Sequence, residues 1–148
     1  MNIGEIQQIL DLHKCCYELI AQDKPILSAA DAKQYYPIEK AAPMLVLQSE
    51  KGLLGCIVSF QHGKLNFDEL KRQFGFIQLK LADRKVIKEE TGYDIGTIPL
   101  AGLGLDCIFD KKLLKHDFVF GGTGNERLTL KIKPADLLRV NIILGQFE

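Results

Sequence analysis

Residues 91–103 read Thr91-Gly92-Tyr93-Asp94-Ile95-Gly96-Thr97-Ile98-Pro99-Leu100-Ala101-Gly102-Leu103, with Asp94 as the only charged side chain. The segment is too apolar for a solvated linker, and too rich in Gly and Pro for a strand. It predicts a folded loop whose backbone approaches something closely, because Gly permits positive φ and close contact while Pro fixes φ. Two other segments complete a distinctive order of parts. One is the turn Gly121-Gly122-Thr123-Gly124-Asn125; the other is Pro134-Ala135-Asp136-Leu137-Leu138.

Outward from the loop, hydrophobic period and capping residues lay out the elements. Ile3, Ile6, Ile9, Leu10 and His13 form a helical stripe over 2–14. Tyr17 to Ala21 is a short strand, and Ser28 caps a helix reaching about Tyr35. Met44–Leu47 and Leu53–Val58 are β runs joined by a hairpin turn at Glu50-Lys51-Gly52. Asn66 caps the helix Phe67–Phe74, which stops at Gly75, and Asp83 caps another that ends at Gly92. Further strands fall at 77–81, 107–109 and 118–120. Leu128, Leu130 and Ile132 alternate with Thr129, Lys131 and Lys133, so this strand has one apolar and one polar face. Pro134 then suits the first position of a helix.

The expectation is one mixed α/β domain over 1–148, a central mixed sheet flanked by short helices. The sheet should hold 44–49, 53–60, 77–81, 117–121 and 128–132, with the first helix packed outside. Leu45, Leu47, Ile57, Leu79, Val119, Leu128 and Leu130 should be largely buried. The 92–103 and 121–125 loops should line one cleft, with Tyr17 and residues 40–44 on its rim.

Composition limits the chemistry. The 148 residues carry 19 basic and 19 acidic side chains, for a formal net charge of zero. Extended duplex binding is therefore not expected, since each neutralised phosphate needs a Lys or Arg; contact with the end of a nucleic acid remains open. Lys111, Lys112, Lys115, Lys131 and Lys133 are the candidate phosphate contacts. No apolar run approaches the roughly 20 residues that cross a bilayer. The first residues lack the basic and apolar regions of a signal peptide, so a cytoplasmic protein is expected. The four cysteines form no C-x-x-C pair and have no His at ligand spacing; reduced thiols and no metal are expected. No Ser or Cys accompanies the histidines as a triad would require. The 121–125 turn fits neither a P-loop nor a dinucleotide fingerprint, leaving a plain turn or an anion-binding nest.

The chain resembles the YbaK/ProX family of prolyl-tRNA editing domains nearly end to end. The likeness rests on Tyr17-Glu18-Leu19-Ile20, Leu27-Ser28-Ala29-Ala30-Asp31-Ala32 and Leu65-Asn66-Phe67-Asp68-Glu69-Leu70. It continues through Leu81-Ala82-Asp83, Thr91-Gly92-Tyr93-Asp94-Ile95-Gly96, Phe109-Asp110-Lys111-Lys112-Leu113-Leu114, the Gly122-Thr123-Gly124 turn and Pro134-Ala135-Asp136-Leu137. The resemblance implies a fold of the YbaK/prolyl-tRNA-synthetase-associated type. It also implies trans-acting hydrolysis of the ester of a mischarged tRNA of the tRNA-Pro type, without metal or cofactor. The implied partners are the 3′ end of the aminoacyl-tRNA and an aminoacyl-tRNA synthetase.

Departures from the family accompany the likeness. Pro43 stands where the family has a functional lysine, and Met44 where threonine usually follows. Lys40 and Lys51 are the candidate replacements, Lys40 being the candidate catalytic residue. The family's Gly-x-x-x-Pro is shortened to Gly96-Thr97-Ile98-Pro99, and Thr129 replaces an acidic residue of some members. The resemblance assigns substrate binding to Tyr17, Pro43, Met44, Gly96, Pro99, Gly102, Gly122, Gly124 and Thr129. Two main readings stay open: a deacylase with a rearranged polar set, or a non-catalytic aminoacyl- or nucleotide-end binding or interaction module.

Overall fold

The computed structural model describes residues 3–148. Helix α1 (Ile3–Leu12) buries Ile6 and Leu10; the part of the expected helix at residue 2 lies outside the described residues. Its end comes before residue 14, where Lys14 adopts φ +54°. Strand β1 (Tyr17–Ala21) leads to the short helix α2 (Ala29–Ala32), capped by the Ser28 hydroxyl on the Asp31 N–H. A 3-10 turn, Ile38–Lys40, precedes the hairpin of β2 (Met44–Ser49) and β3 (Gly52–Ile57). These pair from Met44↔Ile57 to Ser49↔Gly52, and Gly52 takes φ +117°. This conformation strains any residue with a Cβ.

Helix α3 (Phe67–Phe74) runs from the Asn66 cap to Gly75 at φ +76°. Strand β4 (Leu79–Leu81) and helix α4 (Arg84–Thr91) follow, the latter capped by Asp83 and ended by Gly92 at φ +81°. Beyond the 92–103 loop come β5 (Asp106–Asp110), β6 (Val119–Gly121), β7 (Leu128–Ile132), α5 (Pro134–Val140) and β8 (Ile142–Phe147).

The strands form two sheets rather than the one expected. The larger has order β4-β2-β3-β5-β8, with β3, β5 and β8 parallel; the smaller has order β1-β7-β6 and is antiparallel. Among the described residues the two sheets meet at one isolated bridge, Ala41 beside Phe120, where the Ala42 N–H donates to the Phe120 carbonyl at 2.8 Å. The ladder stops there because the Leu100 N–H takes the next available carbonyl, that of Gly122, at 2.9 Å. The glycine-proline loop is thus wedged between segments that would otherwise continue as one sheet.

Alternation along β2 fills two cores. Val46 faces the inner cluster with Ile6, Leu10, Ile57, Leu100, Phe109, Leu130 and Leu137. Leu47 faces the outer cluster with Leu54, Leu70, Ile108 and Phe147 under α3. The larger sheet is therefore covered on both faces, as suits its parallel strands. Of the expected core residues, Leu47, Ile57, Leu79, Val119 and Leu130 are buried, whereas Leu45 and Leu128 are half-buried. Those two line a cavity. No helix among the described residues is long and apolar enough to cross a membrane.

Candidate functional site

The wedge that separates the sheets also opens a cavity of about 330 Å³. This is the lower end of the range for small-molecule sites. Its floor is the seam itself: Ala41 to Leu45 on one side, Phe120 to Gly122 on the other, and Gly96 to Ile98 from the loop. Residues 26–29 and Ala32, around α2, close a third side. Tyr36 lies against Phe120 with ring centroids 4.6 Å apart and planes 5° from parallel. Burial pushes the Tyr36 phenol pKa upward.

The glycines explain how the two loops come together. A Cβ on Gly122 would lie 2.5 Å from the Ile98 carbonyl oxygen, and one on Gly121 would lie 2.5 Å from Leu100 Cδ2 and 3.2 Å from the Ala42 carbonyl oxygen. Both loops can share the cavity wall only because these positions lack side chains. Gly124 serves a third contact: at φ +89°, its Cβ would meet the Tyr93 ring at 2.5 Å. The turn is satisfied internally. The Thr123 hydroxyl donates to the Leu128 carbonyl at 2.8 Å and accepts from the Asn125 N–H at 3.2 Å.

The polar end of the cavity is built from β1 and β7. Thr129 is 5% exposed, and its hydroxyl donates to Gln22 Oε1 at 3.1 Å. Gln22 Nε2 in turn donates to the Glu126 carbonyl at 2.8 Å. Alternation puts Thr129 on the polar face of its strand, and the residue lines the cavity there. Gln22, Tyr36, Phe60 and Glu126 also line the wall, and sequence reasoning named none of them. Gln22 directly follows the apolar run of β1, so a polar residue at a strand end was its only signal.

Phe60 is held in place from behind. The buried carboxylate of Asp110 accepts from the Ser59 N–H at 2.9 Å and the Lys112 N–H at 3.0 Å, and meets His62 Nδ1 at 3.1 Å. These contacts pin the 3-10 turn Phe60–His62.

The expected site residues divide into two groups. Pro43, Met44, Gly96, Gly122 and Thr129 line the cavity, whereas Tyr17, Lys40, Pro99, Gly102 and Gly124 are not among its lining residues. Pro99 is buried between Ile98 and Leu100. The Gly102 N–H donates to Asn141 Oδ1 at 3.2 Å, so Asn141 anchors the loop from outside. Tyr17 pairs with Ile132, and its hydroxyl donates to Asp11 at 2.7 Å. It lies five residues before Gln22, about 16 Å along an extended strand, and does not form the rim. Lys40 adjoins the wall through Ala41, but its ammonium pairs with Asp117 at 3.0 Å. The lysine holds the Asp117 carboxyl below its usual range.

No Lys, Arg or His appears among the described residues lining the cavity. Of the lysines expected at phosphates, Lys111 pairs with Glu148 at 3.7 Å and Lys131 sits 4.7 Å over the Phe118 ring. Among the described residues, no three His, Cys, Asp or Glu side chains cluster as metal ligands. The four cysteines are free; burial pushes the Cys107 thiol up to about 12 and raises that of Cys56.

The aminoacyl-tRNA editing domain family matches residues 23–140, which span every element around the cavity except β1 and Gln22. The chain belongs to that family, and aminoacyl-tRNA is the substrate class that goes with it. Solved structures agree on the fold. The hypothetical protein APE2540 superposes with a TM-score of 0.83 at 20% identity, over 96% of this chain and 97% of that one. A candidate trans-editing enzyme for prolyl-tRNA synthetase superposes at 0.80 and 23% identity, over 97% and 93% of the two chains. A candidate signal transduction protein from Marinobacter aquaeolei VT8 superposes at 0.64 and 17% identity, over 97% of this chain but 29% of its own length. No curated protein matches the chain by sequence.

Proposed function

We propose that the chain hydrolyses, in trans, the ester of a mischarged tRNA, taking the aminoacyl group of the 3′ end into the cavity. The observation that carries this reading is the meeting of the Gly96–Ile98 and Gly121–Gly122 main chains on one cavity wall. On this reading the N–H groups of Gly96, Ile98 and Gly122 serve as donors fixed before the reaction begins, the Thr97 N–H being committed to the Asp94 carbonyl at 3.1 Å. In the reaction, water adds to the ester carbonyl and the tetrahedral oxyanion draws on these donors. The carbon–oxygen bond to the terminal ribose then breaks. The products are a free amino acid and a tRNA with its 3′-terminal hydroxyl restored, the proton of water passing to the leaving oxygen.

The charge of the wall favours this placement. With no cation lining it, the cavity has nothing to neutralise a phosphate, so the polynucleotide stays outside and the aminoacyl group enters. Salt dependence of tRNA binding is then mild, because few counterions are released. Lys40 is the residue from which a charge can reach the cavity mouth. Its pair with Asp117 is on the surface, with side-chain exposures of 32% and 70%, and such pairs are weak enough to exchange. The relative that bears on trans action and on tRNA-Pro is the candidate prolyl trans-editing enzyme.

The test is incubation of the purified chain with a panel of mischarged tRNAs, tRNA-Pro charged with non-cognate amino acids among them. Release of amino acid above the uncatalysed rate is expected. Binding of the charged 3′ end with no release from any member would leave the non-catalytic module as the reading.

A further inference from the structure

Glu126 is the one charged residue among the described residues that line the cavity. Its backbone is braced: the carbonyl accepts from the Ile26 N–H at 2.8 Å and from Gln22 Nε2 at 2.8 Å. The flanking residues are tied as well. The Arg127 N–H donates to Asn125 Oδ1 at 2.9 Å, and the Gln22 N–H donates to the Arg127 carbonyl at 3.0 Å. The residue is exposed, and among the described residues its carboxylate makes no hydrogen bond or ion pair. A rigid turn thus carries an uncommitted negative charge at the polar end of an otherwise neutral cavity.

The rest of the wall cannot do what that charge does. Ile26, Leu27, Ile98 and Leu128 receive a hydrocarbon side chain, and Thr129 with Gln22 offers neutral polar atoms. Neither set compensates a cation. An aminoacyl ester carries a free α-amino group, and α-amino groups titrate close enough to neutrality, at about 7.7–8.0 in peptides, to be protonated on many molecules at pH 7.

Resting on the editing reading, we propose that Glu126 receives the α-ammonium of the aminoacyl ester. The domain thereby selects free aminoacyl-tRNA over tRNA whose amino group is acylated, such as formylated or peptidyl species. The same charge, unopposed by any cation on the wall, disfavours esters of Asp and Glu.

Two measurements test this. In the first, deacylation of one mischarged tRNA is compared with that of its N-acetylated form, for the wild-type chain and for Glu126→Gln. The substitution keeps the shape and leaves the backbone bonds in place. The expected result is a preference of about fivefold in kcat/KM for the free amine, lost in Glu126→Gln and regained in Glu126→Asp. Equal losses for both substrates, or no loss for either, would overturn the assignment. The second measurement is calorimetric binding of a non-hydrolysable 3′-aminoacylamino-adenosine with its amine free or acetylated. Preference for the free amine, absent in Glu126→Gln, supports the assignment even where the chain hydrolyses nothing, in which case only the catalytic reading fails. Hydrolysis without amine preference overturns Glu126 and leaves the editing reading standing. No hydrolysis and no amine-dependent binding overturns both.

Discussion

The larger sheet and the seam beside the smaller sheet are built on opposite rules. In the larger sheet, β2, β3 and β5 bury apolar side chains on both faces, with Leu47, Cys56, Ile57, Ile108 and Phe109 all at 0% exposure. At the seam, strand pairing stops after the bridge of Ala41 and Phe120, and the wedge of Ile98 and Leu100 takes over. One region uses its hydrogen bonds to close a core; the other diverts them to hold a cavity open. Binding capacity here comes from interrupted regularity, stabilised by the intact sheet next to it.

Truncating one apolar side chain in each of the two regions should break the symmetry between them. Phe109→Ala removes a fully buried ring, and a loss of about 3–5 kcal/mol is expected. Leu128→Ala removes a half-buried side chain from a wall that is already hollow. A loss of about 1 kcal/mol is expected, below the usual buried-leucine range. Urea denaturation of both variants checks this; equal losses would mean that the seam is packed as tightly as the sheet.

A methyl at the seam has the converse effect. Gly122→Ala puts a Cβ at 2.5 Å from the Ile98 carbonyl oxygen, and the neighbour is backbone rather than a flexible chain end. Overpacking costs about 1–3 kcal/mol, and the displaced 96–98 segment should lower deacylation by more than the loss of folded protein explains. Gly145→Ala is the control in the sheet, where the neighbour is the edge of the Phe74 ring at 2.9 Å. Unimpaired deacylation by Gly122→Ala would remove the glycine contact from the mechanism.

The same contrast sets how much was legible in the sequence. Caps at Asn66 and Asp83, glycine stops at Gly75 and Gly92, and the hairpin turn ending at Gly52 act through neighbours in the chain, so local rules find them. The division into two sheets depends on which N–H takes the Gly122 carbonyl, a competition between segments more than 20 positions apart that no local pattern records. Strand β8 was missed because its exposure alternates while its residues do not: Ile142 and Leu144 are exposed apolar residues, and Gly145 packs against Phe74. At the site, the glycine loops were legible from their composition. Gln22, Phe60 and Glu126 were not, because an isolated polar or aromatic residue carries no sign of which cavity it faces.

The charge missing from the seam gives a cleaner test of comparable size. A charge-assisted hydrogen bond contributes about 1.5–3 kcal/mol, or roughly ten- to a hundredfold in rate. Pro43→Lys with Met44→Thr is expected to raise deacylation within that range, since both residues line the cavity. Lys40→Ala separates two cases: loss of activity means that the ammonium leaves Asp117 to act on the substrate, and unchanged activity means that backbone donors suffice. Robust turnover that neither change affects would refute the argument from the missing lysine.

The smallest effect lies far from the seam, at Tyr17. Burial, then the hydrogen bond to the Asp11 carboxylate, push its phenol up to about 12. Because the folded value is raised above the ordinary 10, Tyr17 contributes stability that is fully present below pH 10. That contribution falls away as pH rises from about 10 to about 12. The group is only partly buried, so solvent screening cuts the contribution to below about 1 kcal/mol. Wild type and Tyr17→Phe should therefore differ most below pH 10 and converge towards pH 12, as read by urea denaturation at each pH. A gap that stays constant across that window would assign the loss to packing rather than to the Asp11 bond. A fall in deacylation at pH 7 beyond the loss of folded protein would return Tyr17 to the substrate site, and the contrast between sheet and seam would then have to include the far end of β1.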